Sequence, residues 1–564
     1  MIRTDIKKLI QQAIKSHWDV DLALGEIKID YPPENFGDYS TNIAMKLAKV
    51  AKSDSTETAE DIAEHLRRSN LFEEINVAKP GFINFYLSPE VLQKAIIEIN
   101  EKGSGFGDLE KKNQKIMIEY SQPNTHKEFH IGHLRNVFIG STLINVLKKA
   151  GYEVIAANYI GDTGTHIAKC LWALNKFHSK ENLDAIDNKT EFLGKVYSEA
   201  VQKIEDNPEY EKEFKETQKK FEGGDKDLVD LWKKTRLWSL NEFESIYKEL
   251  GVSFDVYFYE SEEELAGKKM VPELVEKRIA KESEGAVIVD LEGNNLGVLV
   301  LLRSDGSALY GLKDIPLSKE KFEKYKINRS IIVSDVRQNL YFQQIFTIMK
   351  LMGFSQDMAH VGYGFVALKG GVGMSSRKGN VIPARILLRD VGEEVKKKFP
   401  ETPVASEVAL GAIKFYMLKH SNESNIEFDI SESIKLEGAT GPYLQYAFAR
   451  ISGILRKSNT ICANEHPNNA NYNLLSDKNE ISLIRKLLIF PEIVEDTAGS
   501  FQINHLAQYA LELVRDFHKF YETCKVIDEK NDDLTLARLS LVKAVQIVLQ
   551  SALSLMGIEA VERM

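Results

Sequence analysis

The 564-residue chain is 43% hydrophobic and 28% charged, enough apolar material for several cores and so for roughly three or four domains. Its formal net charge of -10 and pI near 5.8 exclude wholesale coating of nucleic acid but leave room for a local basic groove. Three scattered cysteines, Cys170, Cys462 and Cys524, exclude a disulfide framework and a cysteine-built zinc site. No uninterrupted apolar run approaches membrane-spanning length, and a cytoplasmic protein is expected.

In chain order, MIRTDIKKLIQQAIKSHWDV reads as an amphipathic helix rather than a signal peptide. The punctuated YPPENFGDYS, the apolar-periodic TNIAMKLAKV and the alternating INVAKPGFINFYLS then predict helices on a small antiparallel sheet, a first domain over 1–110. Near 115 the rhythm changes. QKIMIEYSQPN is a short apolar strand with a polar turn, LRNVFIGSTLINVLKKAG a helix stopped at Gly151, and YEVIAANYIGDTG a second strand. Strand, loop, helix, strand predicts a doubly wound parallel sheet over 111–400, with a charged, largely helical insertion at about 175–285. Strand signals return in GAVIVDLEG, GVLVLLRSDG, SIIVSDV and GYGFVALKG. From about 400 the pattern is helical with no strong strand run: a connecting segment over 401–440 and a helical domain over 441–564.

The stretch SQPNTHKEFHIGHLRN, 121–136, sets Lys127, Glu128, His130 and His133 around Gly132, at the junction of the first parallel strand and its helix. Metal binding lacks support, because no cysteine or paired carboxylate completes a ligand set. Anion binding suits the place better, since the first turn of a helix offers unpaired N–H groups and positive potential. Gly132 lets a base or ribose approach the backbone, the histidines add donors, and Lys127 adds a mobile charge. A second loop, GGVGMSSRKGNVIP, is glycine-rich and basic and is suited to closing over polyphosphate. The two loops lie about 240 residues apart, and their joint presence is far more specific than either alone.

HIGH at 130–133 with MSSRKGN at 374–380 resembles the signature pair of the class I aminoacyl-tRNA synthetases, and the surrounding sequence resembles the arginyl-tRNA synthetases. NYIGDTGTHIAK, SDGSALYGLKD, SDVRQNLYFQQ and the terminal MGIEAVERM are similar to that family's segments. The resemblance implies a Rossmann-like catalytic domain between an α+β N-terminal domain and an all-helical anticodon-binding bundle. It implies ATP with Mg²⁺ on its phosphates, and L-arginine and tRNA(Arg) as partners. Activation and transfer follow from it: the arginine carboxylate attacks the α-phosphate of ATP, and the terminal adenosine of tRNA then takes the aminoacyl group.

By the same resemblance, Lys127, His130, His133, Arg377 and Lys378 serve catalysis. Gly132, His360, Gly362, Gly364, Met374, Ser375 and Ser376 join the two histidines around ATP. Glu119, Asn124, Tyr310, Asp314 and Gln338 bind arginine, where a planar guanidinium calls for a fork of acceptors that an ammonium fits less well. Tyr39 and Asn42 in the N-terminal domain, with Tyr446, Arg450, His518 and Tyr521 in the bundle, are candidates for tRNA, Tyr39 by stacking on a splayed base. The second signature departs from the class pattern, because Gly373 and Ser376 stand where lysines are usual, and Lys127 occupies the compensating place. No dedicated metal site is expected, and a monomer is the default. The rival expectations are another nucleotidyl-transfer enzyme of this fold and a non-catalytic RNA-binding or regulatory relative.

Overall fold

The computed structural model describes residues 1–370, 382–458 and 470–564. The opening helix, Ile2–Trp18, buries Ile6, Ile10, Ala13 and Ile14 along one face, as the spacing of its apolar residues requires. Three antiparallel strands follow: β1 (Tyr39–Thr41), β2 (Phe72–Ala78) and β3 (Phe82–Leu87), ordered β1-β3-β2. Pro80 and Gly81 make the β2–β3 turn. Gly81 has φ +128°, and a Cβ there would fall 2.8 Å from the Ser55 carbonyl oxygen.

The central region is built on β4 (Lys115–Glu119), β5 (Glu153–Ile160) and β6 (Val256–Tyr259), then β7 (Lys281–Ser283), β8 (Ala286–Asp290) and β9 (Val298–Leu302), then β10 (Arg329–Asp335) and β11 (Asp357–Tyr363). Five of these form a parallel sheet in the order β11-β10-β4-β5-β6. The chain leaves β4 toward β5 and returns on the other side as β10. The crevice beyond the carboxyl ends of β4 and β10 is therefore the switch point where ligands bind in open α/β sheets. The helix Ile131–Lys149 starts in that crevice and is buried nearly all round.

The structure adds to three of these readings. GAVIVDLEG and GVLVLLRSDG do not join the parallel sheet; as β8 and β9 they pair antiparallel with β7 in a separate small sheet, because short connections favour hairpins. The region 175–285 is not all insertion, since β6 forms an edge of the central sheet. The stretch after 400 is not purely helical either: β12 (Val366–Leu368) pairs in parallel with β13 (Ile426–Phe428), three residues too few to register as a strand pattern.

The C-terminal bundle contains helices Gly441–Ser458, Lys478–Leu488, Phe490–Ser500, Asn504–Thr523 and Asp532–Leu555. The last is long and apolar enough to cross a membrane by length and composition, but 56% of its apolar window is buried inside the protein, as in a core helix. Lys414 ties the domains together: its ammonium donates to the carbonyls of Leu250 at 2.9 Å and Gly557 at 2.5 Å. Burial pushes its pKa down to about 8.

Candidate active site

The HIGH stretch is self-capping. His130 is the N-cap residue of Ile131–Lys149, and its Nδ1 accepts from Gly132 N–H at 3.1 Å. Three residues on, His133 Nδ1 accepts from the His130 N–H, also at 3.1 Å. Two imidazoles thus play the parts of Ser and Glu in a capping box, which accounts for their spacing. The rings stack with centroids 3.7 Å apart. Burial, helped by Lys127, pushes His130 down to about 4, and burial with His130 and Lys127 holds His133 well below its ordinary value. Both are therefore neutral at pH 7. With each Nδ1 accepting, each proton resides on Nε2, leaving two N–H donors for phosphate oxygens. Lys127 lies 5.1 Å over the ring of Tyr197, so helix Lys189–Asp206 helps to place it.

The wall behind this loop comes from the region taken in sequence for an insertion. Helix Lys226–Leu250 brings Thr235 to His126 Nε2 at 2.7 Å, Ser239 to the His126 N–H at 3.0 Å, and Tyr247 to Ser121 at 2.7 Å. Burial pushes His126 down to about 3, so it is a neutral structural histidine. Asp162, fully buried, accepts from Arg236 Nε at 2.7 Å and from the Ser261 hydroxyl and N–H, both at 2.9 Å. Arg236 also lies 4.2 Å over the Tyr259 ring. These contacts pin the GDTG turn, which in turn lies against the signature: Gly161 donates to Pro123, and a Cβ on it would fall 2.3 Å from Asn124 Oδ1. Asp162→Ala strands the Arg236 charge. It is expected to cost about 3 kcal/mol of stability, with a fall in activity, checked by denaturant unfolding beside the exchange assay described below. His126, Asp162, Arg236 and Tyr247 were missed in sequence because their partners lie far along the chain. His166 was missed too; its Nε2 is buried with no partner among the described residues.

Of the predicted arginine ligands, Asp314 is the best placed. Its carboxylate accepts from the Tyr341 hydroxyl, and burial, opposed by that bond and reinforced by Glu119, pushes it up to about 7. Glu119 has both oxygens engaged, one by Gln122 Nε2 at 2.6 Å and the other by the buried Lys321 ammonium. Asn124 lies beside the GDTG turn. Tyr310 stands one turn before Asp314 but is 67% exposed, and Gln338, at the end of the short helical turn after β10, is exposed.

Around the expected ATP site, His360 has both ring nitrogens engaged, by Ser334 and Asn339 at 2.7 Å each, and stacks on Phe342. It offers ATP a fixed ring rather than a free donor. Gly362 lies close to Val336, where a Cβ would be 3.1 Å from Cα, and a Cβ on Gly364 would fall 2.5 Å from the Ser424 carbonyl oxygen. Met374, Ser375, Ser376, Arg377 and Lys378 lie outside the described residues. The chain after them is bound to the first signature: Ile131 N–H donates to Ile382 at 3.1 Å, and Ala384 N–H to Phe129 at 2.8 Å.

The tRNA candidates divide. Tyr39 is corrected: it is 1% exposed and its hydroxyl contacts Glu492 of the bundle, so its ring is packed inside and cannot stack on a base. Arg3 reaches the same place, pairing with Glu495 and Asp496 at 2.7 Å each. Asn42 is half-buried, its Oδ1 without a partner among the described residues. In the bundle, Arg450 lies 4.5 Å over the Tyr521 ring, while His518 bonds Tyr443 at 3.0 Å. Tyr446, 38% exposed, is one turn from Arg450. Helices Gly441–Ser458 and Asn504–Thr523 thus gather the four candidates on one joint.

Comparison with known proteins decides the family. Residues 95–430 match the class I arginine-type tRNA synthetase catalytic domain, 4–87 the arginyl-tRNA synthetase N-terminal domain, and 444–564 the DALR anticodon-binding domain. The chain belongs to the arginyl-tRNA synthetases. An arginine–tRNA ligase of Bdellovibrio bacteriovorus is 34% identical over 95% of this chain and 94% of that protein. One from Clostridium botulinum is 33% identical over 99% and 100%. The Thermus thermophilus arginyl-tRNA synthetase structure superposes with a TM-score of 0.83 at 28% identity, covering all of both chains. The chain is accordingly a class I arginine–tRNA ligase, and no observation favours a non-catalytic relative.

Proposed function

We propose that the two half-reactions run in the crevice beyond β4 and β10, with the following division of labour. The arginine side chain enters toward Asp314, with Glu119 held behind by Lys321. The α-carboxylate oxygen of arginine attacks the α-phosphorus of ATP, the bond to the β-phosphate breaks, and pyrophosphate leaves. The 3'-terminal ribose hydroxyl of tRNA(Arg) then attacks the activated carbonyl and AMP leaves. Placement and charge stabilisation supply most of the rate.

The neutral stacked pair His130 and His133 supports this reading best, since two Nε2–H donors bind phosphate oxygens without surrendering protons. Lys127 adds positive charge at the same loop, and Arg377 and Lys378 add theirs from the second signature. Mg²⁺ is proposed to arrive on the ATP phosphates; the described residues gather no set of three His, Cys, Asp or Glu side chains to hold one themselves. Tyr446, Arg450, His518 and Tyr521 are assigned to tRNA on the bundle, and the chain is taken to act as a monomer in the cytoplasm.

The test is ATP–pyrophosphate exchange with arginine, with and without tRNA(Arg), and with lysine and citrulline as controls. Exchange is expected with arginine only, and only when tRNA is present. Exchange with arginine in the absence of tRNA would keep the ligase but remove the tRNA requirement. No exchange under either condition, with tRNA still bound, would overturn the proposal.

A further inference from the structure

Tyr159 stands one residue from the carboxyl end of β5, beside the strand that ends in Glu119 and at the mouth of the crevice. Its hydroxyl is buried and has no hydrogen-bond partner among the described residues. That sets it apart from the phenols around it. Tyr341 donates to Asp314, Tyr257 to Glu244, and Tyr247 bonds Ser121 and Asn158. Buried hydroxyls are nearly always partnered, so one left bare at the open end of a parallel sheet points to a ligand.

Its surroundings state the ligand's charge. Burial first, and then the acidic groups Asp314, Glu260 and Glu119 with the Tyr341 phenol, keep its proton on well above the usual range. Each carboxylate is already held from another side: Asp314 by Tyr341, Glu119 by Gln122 and Lys321, Glu260 by Lys313. With Asp314 ionised, Glu119, Glu260 and Asp314 outnumber the Lys313 and Lys321 ammonium groups, and Glu264 shares Lys313 as well, so the place is net negative. A neutral phenol oxygen there can accept from a cation rich in N–H groups, and the carboxylates around it repel an anion. A guanidinium has five N–H donors in a planar fork and can reach a carboxylate and a phenol together. An ammonium has three donors at a single point.

We propose that Tyr159 is a further specificity-determining residue of the arginine site, its phenol oxygen accepting one guanidinium N–H while Asp314 accepts another. The proposal rests on the assignment of the arginine side chain to Asp314. The test is Tyr159→Phe in the full chain, with arginine and ATP titrated separately in tRNA-supported pyrophosphate exchange, and thermal unfolding followed with and without arginine. A hydrogen bond to a charged group predicts a rise in KM for arginine of roughly tenfold or more. KM for ATP and kcat should stay within about twofold, and the ligand-free unfolding temperature should be unchanged or higher, since a bare buried hydroxyl has been removed. The stabilisation by arginine should shrink. An unchanged KM for arginine overturns the proposal. So does a lower ligand-free unfolding temperature with KM for arginine and ATP rising together, which would make Tyr159 a packing residue. Asp314→Asn run in parallel separates the two failures: if it too leaves KM for arginine unaltered, the arginine assignment itself falls.

Discussion

Asp314→Asn is expected to lower kcat/KM for arginine by roughly 100-fold, because truncating one partner of a buried charge-assisted pair costs about 3 kcal/mol. The pH dependence distinguishes this from simple damage. In the ligand-free protein Asp314 is pushed up to about 7, by burial first, against the Tyr341 hydrogen bond and with Glu119. Arginine binds the ionised carboxylate, so kcat/KM should rise with pH, up to tenfold per pH unit below 7, and level above it. The asparagine variant should lose that limb. Stability has the opposite sign. A carboxyl whose folded pKa lies above its unfolded one stabilises the folded chain at low pH, and that contribution is lost as pH rises toward 7. The ligand-free variant should therefore be no less stable than the parent at pH 8, while binding arginine far more weakly. A kcat/KM within threefold of the parent, or an acid limb retained in the variant, would remove Asp314 from the site.

Arg135→Met should produce the largest loss of stability, about 4 kcal/mol, read by urea unfolding of the full chain. Arg135 is fully buried two residues after the second signature histidine, and it salt-bridges no carboxylate among the described residues. Its guanidinium donates instead to four carbonyls: Gly364 at 2.5 Å, Ser424 at 2.6 Å, Asn422 at 3.0 Å and Ser421 at 3.1 Å. The turn after β11 is thereby clamped to residues 421–424, where Gly364 permits close approach. Methionine fills the volume but leaves the Gly364 and Ser424 carbonyls without a donor, each at the cost of a buried unsatisfied group, while Asn422 and Ser421 keep only the backbone N–H of Gly364 and Ser424. Arg135→Lys should recover only part, since a point ammonium has three donors and cannot span four acceptors. Activity should fall with stability, because the clamped turn borders the expected ATP site. A loss under about 1 kcal/mol in the methionine variant would show that the turn holds without the clamp.

The sequence by itself determined what depends on neighbours along the chain. The strand, turn and helix around HIGH were legible because a histidine at the N-cap and another three residues on satisfy each other locally. So were the αβ rhythm of the core and the amphipathic first helix. Only the tertiary structure decided the rest. Tyr39 was a candidate for stacking on a base, yet it is buried and its partner Glu492 lies 453 residues away. Nothing near Glu119 in sequence shows that Lys321, 202 residues on, is brought against it. The charged region after 175 gave no periodic sign that Arg236 and Ser261 would hold Asp162 across 74 and 99 residues. Apolar spacing records which face of an element is buried, whereas a buried charge or hydroxyl is stabilised by whichever group the fold delivers to it, and local sequence holds no trace of that group.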